Sequence, residues 1–291
     1  MTRVNSAQVK SEGTKQGAAA LPSRIVANFA LAVVALARPP RAKLPAPPRR
    51  AVAAVLLLTC MAIIASMFLL DRTASDWARH LPGWFIEAFE RITDFGLSGW
   101  FLYPLGVILL GLAAVASPAS PRLAQGVFAA LGARFGFLFV AIAAPGLFTT
   151  IVKRLIGRAR PYVGGYDNPF LYKPFIWQPA YASMPSGHAT SAAAAAVAIG
   201  AVWPRARPLM WLYALTIMFS RVVVVAHHPS DVLAGALVGA VGVLLLRRVF
   251  AARRLAFSPR DLRPYPWPSW RRLKAAARRR GASALAPPTA D

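Results

Sequence analysis

Acidic side chains are scarce in this chain: ten Asp and Glu stand against 34 Lys and Arg among 291 residues, a formal net charge of +24. With four histidines and no acidic cluster, the sequence offers little from which to build a paired-metal centre. The single cysteine, Cys60, lies in an apolar run; it excludes an internal disulfide and says little about redox compartment. No stretch reads as a cleavable signal peptide, because the N-terminus is polar to about Ala18 and Ile25 to Ala37 is too short and too far in. The chain is nevertheless 57% hydrophobic. A nucleic-acid binder matches the charge but rarely the apolar content, so the distribution of charge decides between classes.

The charge sits in blocks. Residues 1 to 50 hold nine Lys or Arg and residues 247 to 291 hold twelve, with apolar runs between them. Ala51 to Leu70 is twenty residues without a charge, enough for a bilayer core of about 30 Å at about 1.5 Å per residue. Further spans are expected from about Leu97 to Ala116, from near Leu123 to Val152 with Phe135 to Val152 as its apolar part, from His188 to Trp203, from Pro208 to Ala226, and from Ser230 to Leu246. Arg134 is expected near the inner interface, its stem snorkelling. Ile25 to Ala37 is short for a span and reads as interfacial or weakly ordered. Six spans put the N-terminal block, Arg122, Arg205, Arg207 and the C-terminal block on one side, which the positive-inside rule makes cytoplasmic. Residues 1–50 are then a basic N-terminal segment, 51–248 a six-span domain and 249–291 a basic tail.

One segment breaks that rule. Residues 153 to 187 fall on the outer side yet carry Lys153, Arg154, Arg158, Arg160 and Lys173, and cations kept there suggest a local use. The same rim receives PSGH (185 to 188) and SRVVVVAHHPSD (220 to 231). Lys153, Arg160 and Arg221 supply fixed positive charge, and the guanidinium fork suits phosphate oxygens. Ser186 and Gly187 open a helix whose free N–H groups and dipole favour an anion; Gly187 permits close approach, and Ser186 can cap the helix. The helix start thus reads as a phosphate cradle with His188 beside it to move a proton.

Lys-x6-Arg-Pro, then Pro-Ser-Gly-His, then Ser-Arg-x5-His-x3-Asp resembles the three-part signature of the type 2 phosphatidic acid phosphatase (PAP2) family, which shares its site with vanadium haloperoxidases. All three parts are complete: Lys153, Arg160, Pro161; Pro185, Ser186, Gly187, His188; Ser220, Arg221, His227, Asp231. The resemblance spans about residues 51 to 248 and implies an all-α, integral membrane six-helix bundle of the PAP2/haloperoxidase-like type. It also implies roles. His227 is the nucleophile that forms a phosphohistidine, Asp231 holds its tautomer, and His188 is the general acid and then base. Lys153, Arg160, Ser186, Gly187 and Arg221 bind the phosphate. No metal or other cofactor is required.

Two residues stay open at this point. Arg158 is assigned to the pocket, against phosphate or a lipid headgroup, and His228 to the pocket mouth, since the spacing selects His227 as nucleophile. The bland alternatives are an interfacial anchor for Arg154 and an ordinary surface residue for His80. Residues 82 to 96 read as an interfacial helix, either touching substrate or merely capping the bundle. The aromatics Tyr162, Tyr166, Phe170, Tyr172, Phe175, Trp177 and Tyr181 suit an interfacial loop over the site, and RRLKAAARRRG near the C-terminus suits anionic headgroups.

The expected activity is metal-independent hydrolysis of a lipid phosphomonoester or diphosphate at the outer, periplasmic face of the inner membrane. The substrates considered are undecaprenyl diphosphate, phosphatidic acid or phosphatidylglycerophosphate, and lipid A phosphate. The expected partners are the bilayer and the lipid phosphate, not nucleic acid. A lipid phosphotransferase with the same site, or a non-catalytic phospholipid transporter, is the alternative.

Overall fold

The computed structural model describes residues 6–117, 119–164 and 168–267, and every extended element among them is helical. In chain order these are α1 (Ser6–Ala37), α2 (Arg49–Leu69), α3 (Asp71–Arg79), α4 (Gly83–Asp94), α5 (Gly99–Val115), α6 (Arg122–Ile156), α7 (Gly187–Val202), α8 (Arg207–Val223) and α9 (Pro229–Ala252). Tyr166 and the RRLKAAARRRG stretch lie outside the described residues.

The bundle is built around α7. Its run of alanines is buried on every side, with Ala189 and Ala192 to Ala195 fully covered. Small side chains let α6, α8 and α9 close around it, an association that packing rather than hydrophobicity drives in lipid. Gly235 and Gly239 of α9 provide the closest approach: a Cβ on either would collide with backbone carbonyls of α7, those of Ser186 and Thr190. Thr190 Oγ1 also meets Thr149 Oγ1 of α6 at 3.0 Å and donates to Ser186 O at 2.9 Å. Four small residues on two helices therefore decide how near the PSGH turn comes to the start of α9.

Among the described residues, length and apolarity single out four helical stretches able to cross a membrane: Arg49–Leu69, Gly83–Val115, Arg122–Ile156 and Pro229–Ala252. The expected count of six spans is thus not reproduced by those criteria. At the other two positions stand α7 with 16 residues and α8 with 17, each about 25 Å long at 1.5 Å per residue, short of the bilayer core. The outer surface of α2, with Val55, Leu57 and Phe68 each 60% exposed or more, is a face for lipid rather than water.

The basic end of the bundle departs from expectation in two places. Arg134 does not snorkel. It is 2% exposed, and its guanidinium donates to Ala130 O, Tyr265 O and Pro266 O and stacks on Trp267. Arg247 likewise holds Leu262 O, and Trp267 stacks on Trp203 at 5.3 Å. Guanidinium groups thus satisfy carbonyls of a C-terminal segment folded back under α6, α7 and α9, with Phe257 fully buried. Ile25 to Ala37 is the second half of α1, leaning on α5 through Asn28 Nδ2, which donates to Ala113 O and Ala116 O.

Candidate active site

At the opposite end, α6 stops at Gly157, which has φ of 63°. A side chain there would occupy the position of Lys173 O, so only glycine permits both the left-handed turn and the close crossing. The crossing is pinned by Lys173 N donating to Gly157 O (2.7 Å) and Ala159 N to Leu171 O (2.9 Å). This brings Lys153, one turn earlier, to the mouth of α7: its Nζ lies 3.9 Å from where a Cβ on Gly187 would sit. Arg154 turns away, donating to Trp177 O at 2.7 Å. Arg160 is partly exposed, with its Nε on Pro179 O at 3.1 Å.

The start of α7 follows directly. Ser186 occupies the N-cap position but makes no side-chain cap bond. Its Oγ is buried and has no partner among the described residues. The first N–H groups of α7 have no carbonyl one turn back. Buried polar atoms nearly always find a partner, so this group of donors is suited to receive one from outside the chain. His188 is the second residue of the helix.

The third motif arrives by the turn between α8 and α9. His227 is 4% exposed. Its Nδ1 lies 3.8 Å from Asp231 Oδ2, but Ser183 Oγ is nearer, at 3.4 Å, and donates to that same Oδ2 at 2.6 Å. The carboxylate therefore reaches the ring chiefly through a hydroxyl. Burial lowers the His227 pKa to about 4, and the cations Arg221 and Arg160 push the same way while Asp231 opposes them. Burial thus favours the neutral ring at pH 7, the form with a free nitrogen lone pair.

Arg221 is 7% exposed, and its Nη1 donates to Thr93 Oγ1 at 2.5 Å, while its Nε is buried with no partner among the described residues. Ser220 Oγ donates its proton to Ile217 O at 2.6 Å and accepts from the same Thr93 Oγ1 at 2.9 Å, so α4 anchors this motif through one threonine. Phe89 of the same helix packs edge-on against Phe219, and Gly96, just beyond it, lines the space beside His188, so residues 82 to 96 both cap the bundle and border the site. The groups from all three motifs converge: Arg221, His227, Arg160 and Lys153 all act electrostatically on His188. Beside them a cavity of about 360 Å³ runs from Lys153, Gly187 and His188 down to Leu102, Ile142 and Leu147.

Two pocket assignments look different in three dimensions. Arg158 faces neither phosphate nor headgroup; it is 0% exposed. Its Nη1 donates to Asp231 Oδ1 (2.6 Å) and Ser230 Oγ (2.7 Å), its Nη2 to Asp71 Oδ2 (2.7 Å). Burial by itself lowers its pKa, but the two carboxylates outweigh this and raise it, so it stays charged. His228 is 2% exposed, not at a mouth; its Nδ1 meets Ser75 Oγ of α3 at 3.3 Å, and burial holds its pKa below the ordinary value. Of the loop aromatics, Tyr162, Phe170, Phe175 and Trp177 are exposed, whereas Tyr181 is buried.

Sequence reasoning missed Asp71, Thr93 and Ser183. Asp71 had a signal: a lone acid at the end of an apolar span, in a chain where buried cations require partners. Thr93 and Ser183 are ordinary hydroxyl residues with none.

A family model described as the PAP2 superfamily matches residues 134–255. Lipid A 1-phosphatase of Rhizobium johnstonii is 36% identical over 222 residues, which cover 76% of this chain and 88% of the relative. Decaprenylphosphoryl-5-phosphoribose phosphatase of Mycobacterium tuberculosis is 32% identical over 162 residues, 55% of this chain and 81% of the relative. Among solved structures, a transmembrane PAP2-type phosphatidylglycerolphosphate phosphatase from Bacillus subtilis superposes with a TM-score of 0.48 at 20% identity, covering 67% of this chain and 93% of that one.

Proposed function

The chain belongs to the PAP2 superfamily, and from that premise we propose that it is a membrane phosphatase that removes phosphate from lipid A through a phosphohistidine intermediate. The observation that carries the chemistry is the pairing of a neutral, buried His227 with His188 inside one field of cations. The unpartnered Ser186 Oγ and Arg221 Nε add donors that a phosphate would satisfy. The choice of lipid A rests on the Rhizobium relatives, whose alignments span 88% and 93% of their own lengths. A prenyl-linked phosphate, as in the mycobacterial relative's name, is the next class to test.

In the first step His227 Nε2 attacks phosphorus. The P–N bond forms as the bond to the lipid oxygen breaks, and His188, protonated when the negative charge of the bound phosphate offsets the cations around it, gives that oxygen its proton. Lys153, Arg160, Arg221, Ser186 and the Gly187 N–H neutralise the three equatorial oxygens, where most of the stabilisation is needed. In the second step His188 takes a proton from water, the water oxygen bonds phosphorus and the P–N bond breaks. No step passes through a metal. The apolar depth of the cavity below His188 suits a lipid tail. If α7 and α8 are counted as short spans, the positive-inside rule supports a topology with both basic ends cytoplasmic and the site periplasmic.

Phosphate release from purified lipid A, phosphatidic acid, phosphatidylglycerophosphate and undecaprenyl diphosphate tests this reading. We expect the highest kcat/KM on lipid A, with His227→Ala and His188→Ala inactive. An acid-labile, alkali-stable phosphoenzyme should form on wild type and be absent in His227→Ala. Wild type that binds these lipids and releases no phosphate would show a transporter instead, and phosphate appearing on another lipid would show a phosphotransferase.

A further inference from the structure

Beyond the three motifs, the geometry points to Asp71 and Ser183 as positioning residues for the histidine step, an inference that rests on the phosphatase reading above. Asp71 opens α3, more than eighty residues from the nearest motif residue to which it is joined. It is fully buried, and only donors surround it: Arg158 Nη2 (2.7 Å), Ser230 N (3.0 Å), Ser230 Oγ (2.5 Å) and Ser66 Oγ (3.4 Å). Four donated bonds suit a carboxylate and not an amide, which would present its own N–H groups to them.

The consequence passes along the network. Arg158 is held between two carboxylates, so its Nη1 occupies Asp231 Oδ1. Asp231 is left with Oδ2 for its remaining partners, His228 N at 2.9 Å and Ser183 Oγ at 2.6 Å. Ser183 spends its one proton on that oxygen and can therefore only accept from His227 Nδ1. The ring must carry its proton on Nδ1, which leaves the lone pair of Nε2 free for phosphorus. Two carboxylates against one guanidinium also leave one negative charge behind the ring, where it stabilises the positive charge gained as the P–N bond forms. Asp231 alone, at 3.8 Å from Nδ1, is too far for a hydrogen bond. The hydroxyl supplies the contact, and Asp71 supplies the fixed end of the chain.

The test uses the full chain in detergent with the best lipid phosphate substrate. Ser183→Ala and Asp71→Asn should each lower kcat on the order of 10- to 100-fold, as loss of an orienting partner does elsewhere, with KM and the competitive inhibition constant of inorganic phosphate within about twofold of wild type. Ser183→Thr, which keeps the hydroxyl, should recover most of the rate. The double variant should be little slower than the poorer single, because both act through one ring. A Ser183→Ala enzyme with wild-type kcat overturns the inference, as does a kcat loss matched by an equal rise in KM and in the phosphate constant. If Asp71→Asn fails to fold, the Ser183 pair decides alone. Wild type inactive on every lipid phosphate rejects the phosphatase reading itself, whereas active wild type with unimpaired Ser183→Ala rejects only the relay.

Discussion

Replacing Gly235 by alanine should separate the two halves of the site. The added Cβ would press on Ser186 O and lie 3.1 Å from Ala189 Cβ and 3.2 Å from Thr190 Oγ1. Ordinary carbon contacts need about 3.5 to 4.0 Å, so α9 must draw back from α7 by roughly 0.5 to 1 Å. Alanine gains about 1 kcal/mol of helix propensity over glycine, against an overpacking cost of about 1 to 3 kcal/mol; the balance is a small net loss of stability. The effect on chemistry is larger. Ser186 and His188 ride on α7, while Asp231 rides on α9 and His227 just precedes it. A shift of about 1 Å between reacting groups costs about 100-fold in rate. Phosphate release should therefore drop steeply while the thermal unfolding midpoint in detergent moves only a few degrees. The control is Gly111→Ala on α5, where a Cβ meets nothing within 4 Å; that variant should be fully active and slightly stabilised. Full activity in Gly235→Ala, or an equal loss in Gly111→Ala, would refute the reasoning.

Other expectations follow from single contacts. Arg158→Ala leaves Asp71 and Asp231 buried without their cation and should cost about 3 to 5 kcal/mol, seen as a much lower unfolding midpoint; an unchanged midpoint contradicts the buried network. His227, with its pKa lowered to about 4, should stay neutral in an imidazole ¹⁵N titration from pH 7 down to about pH 5. Because the unfolded chain takes up that proton at about pH 6.5, the unfolded state binds more protons in this window, and stability should fall as pH drops from about 6.5 toward 4. A ring that titrates at 6.5 in the folded protein removes the basis for both statements. Gly96→Ala would place a Cβ 2.9 Å from His188 Cδ2, so kcat should fall through displacement of the acid; unchanged kcat argues that His188 has room to shift. Activity should persist in chelator, since every proposed step uses protein groups; loss of activity that added divalent ions restore would require a different mechanism.

What local composition could carry, it carried. A charge-free run of bilayer length marks α2 without reference to the rest of the chain, because transfer into lipid depends on the residues of the run itself. The signature spacings likewise name Lys153, His188, Arg221 and His227, since each motif lies within one helix end or turn. The partners of buried charge were decided elsewhere. Burying Arg158 demands anions, yet nothing in the residues near it says that they are Asp71 and Asp231, 87 and 73 positions away. The same holds for Ser183, which meets Asp231 across 48 positions, and for Arg134, which is bonded to carbonyls more than 130 residues on. On the count of crossings the sequence and the helix lengths differ, because α7 and α8, at 16 and 17 residues, fall short of the bilayer core while four longer apolar stretches among the described residues do not. Composition specifies what each segment requires of its surroundings; only the packing of α7 against α9 and the crossing at Gly157 settle which groups answer, because contact between distant segments depends on backbone approach and not on local sequence.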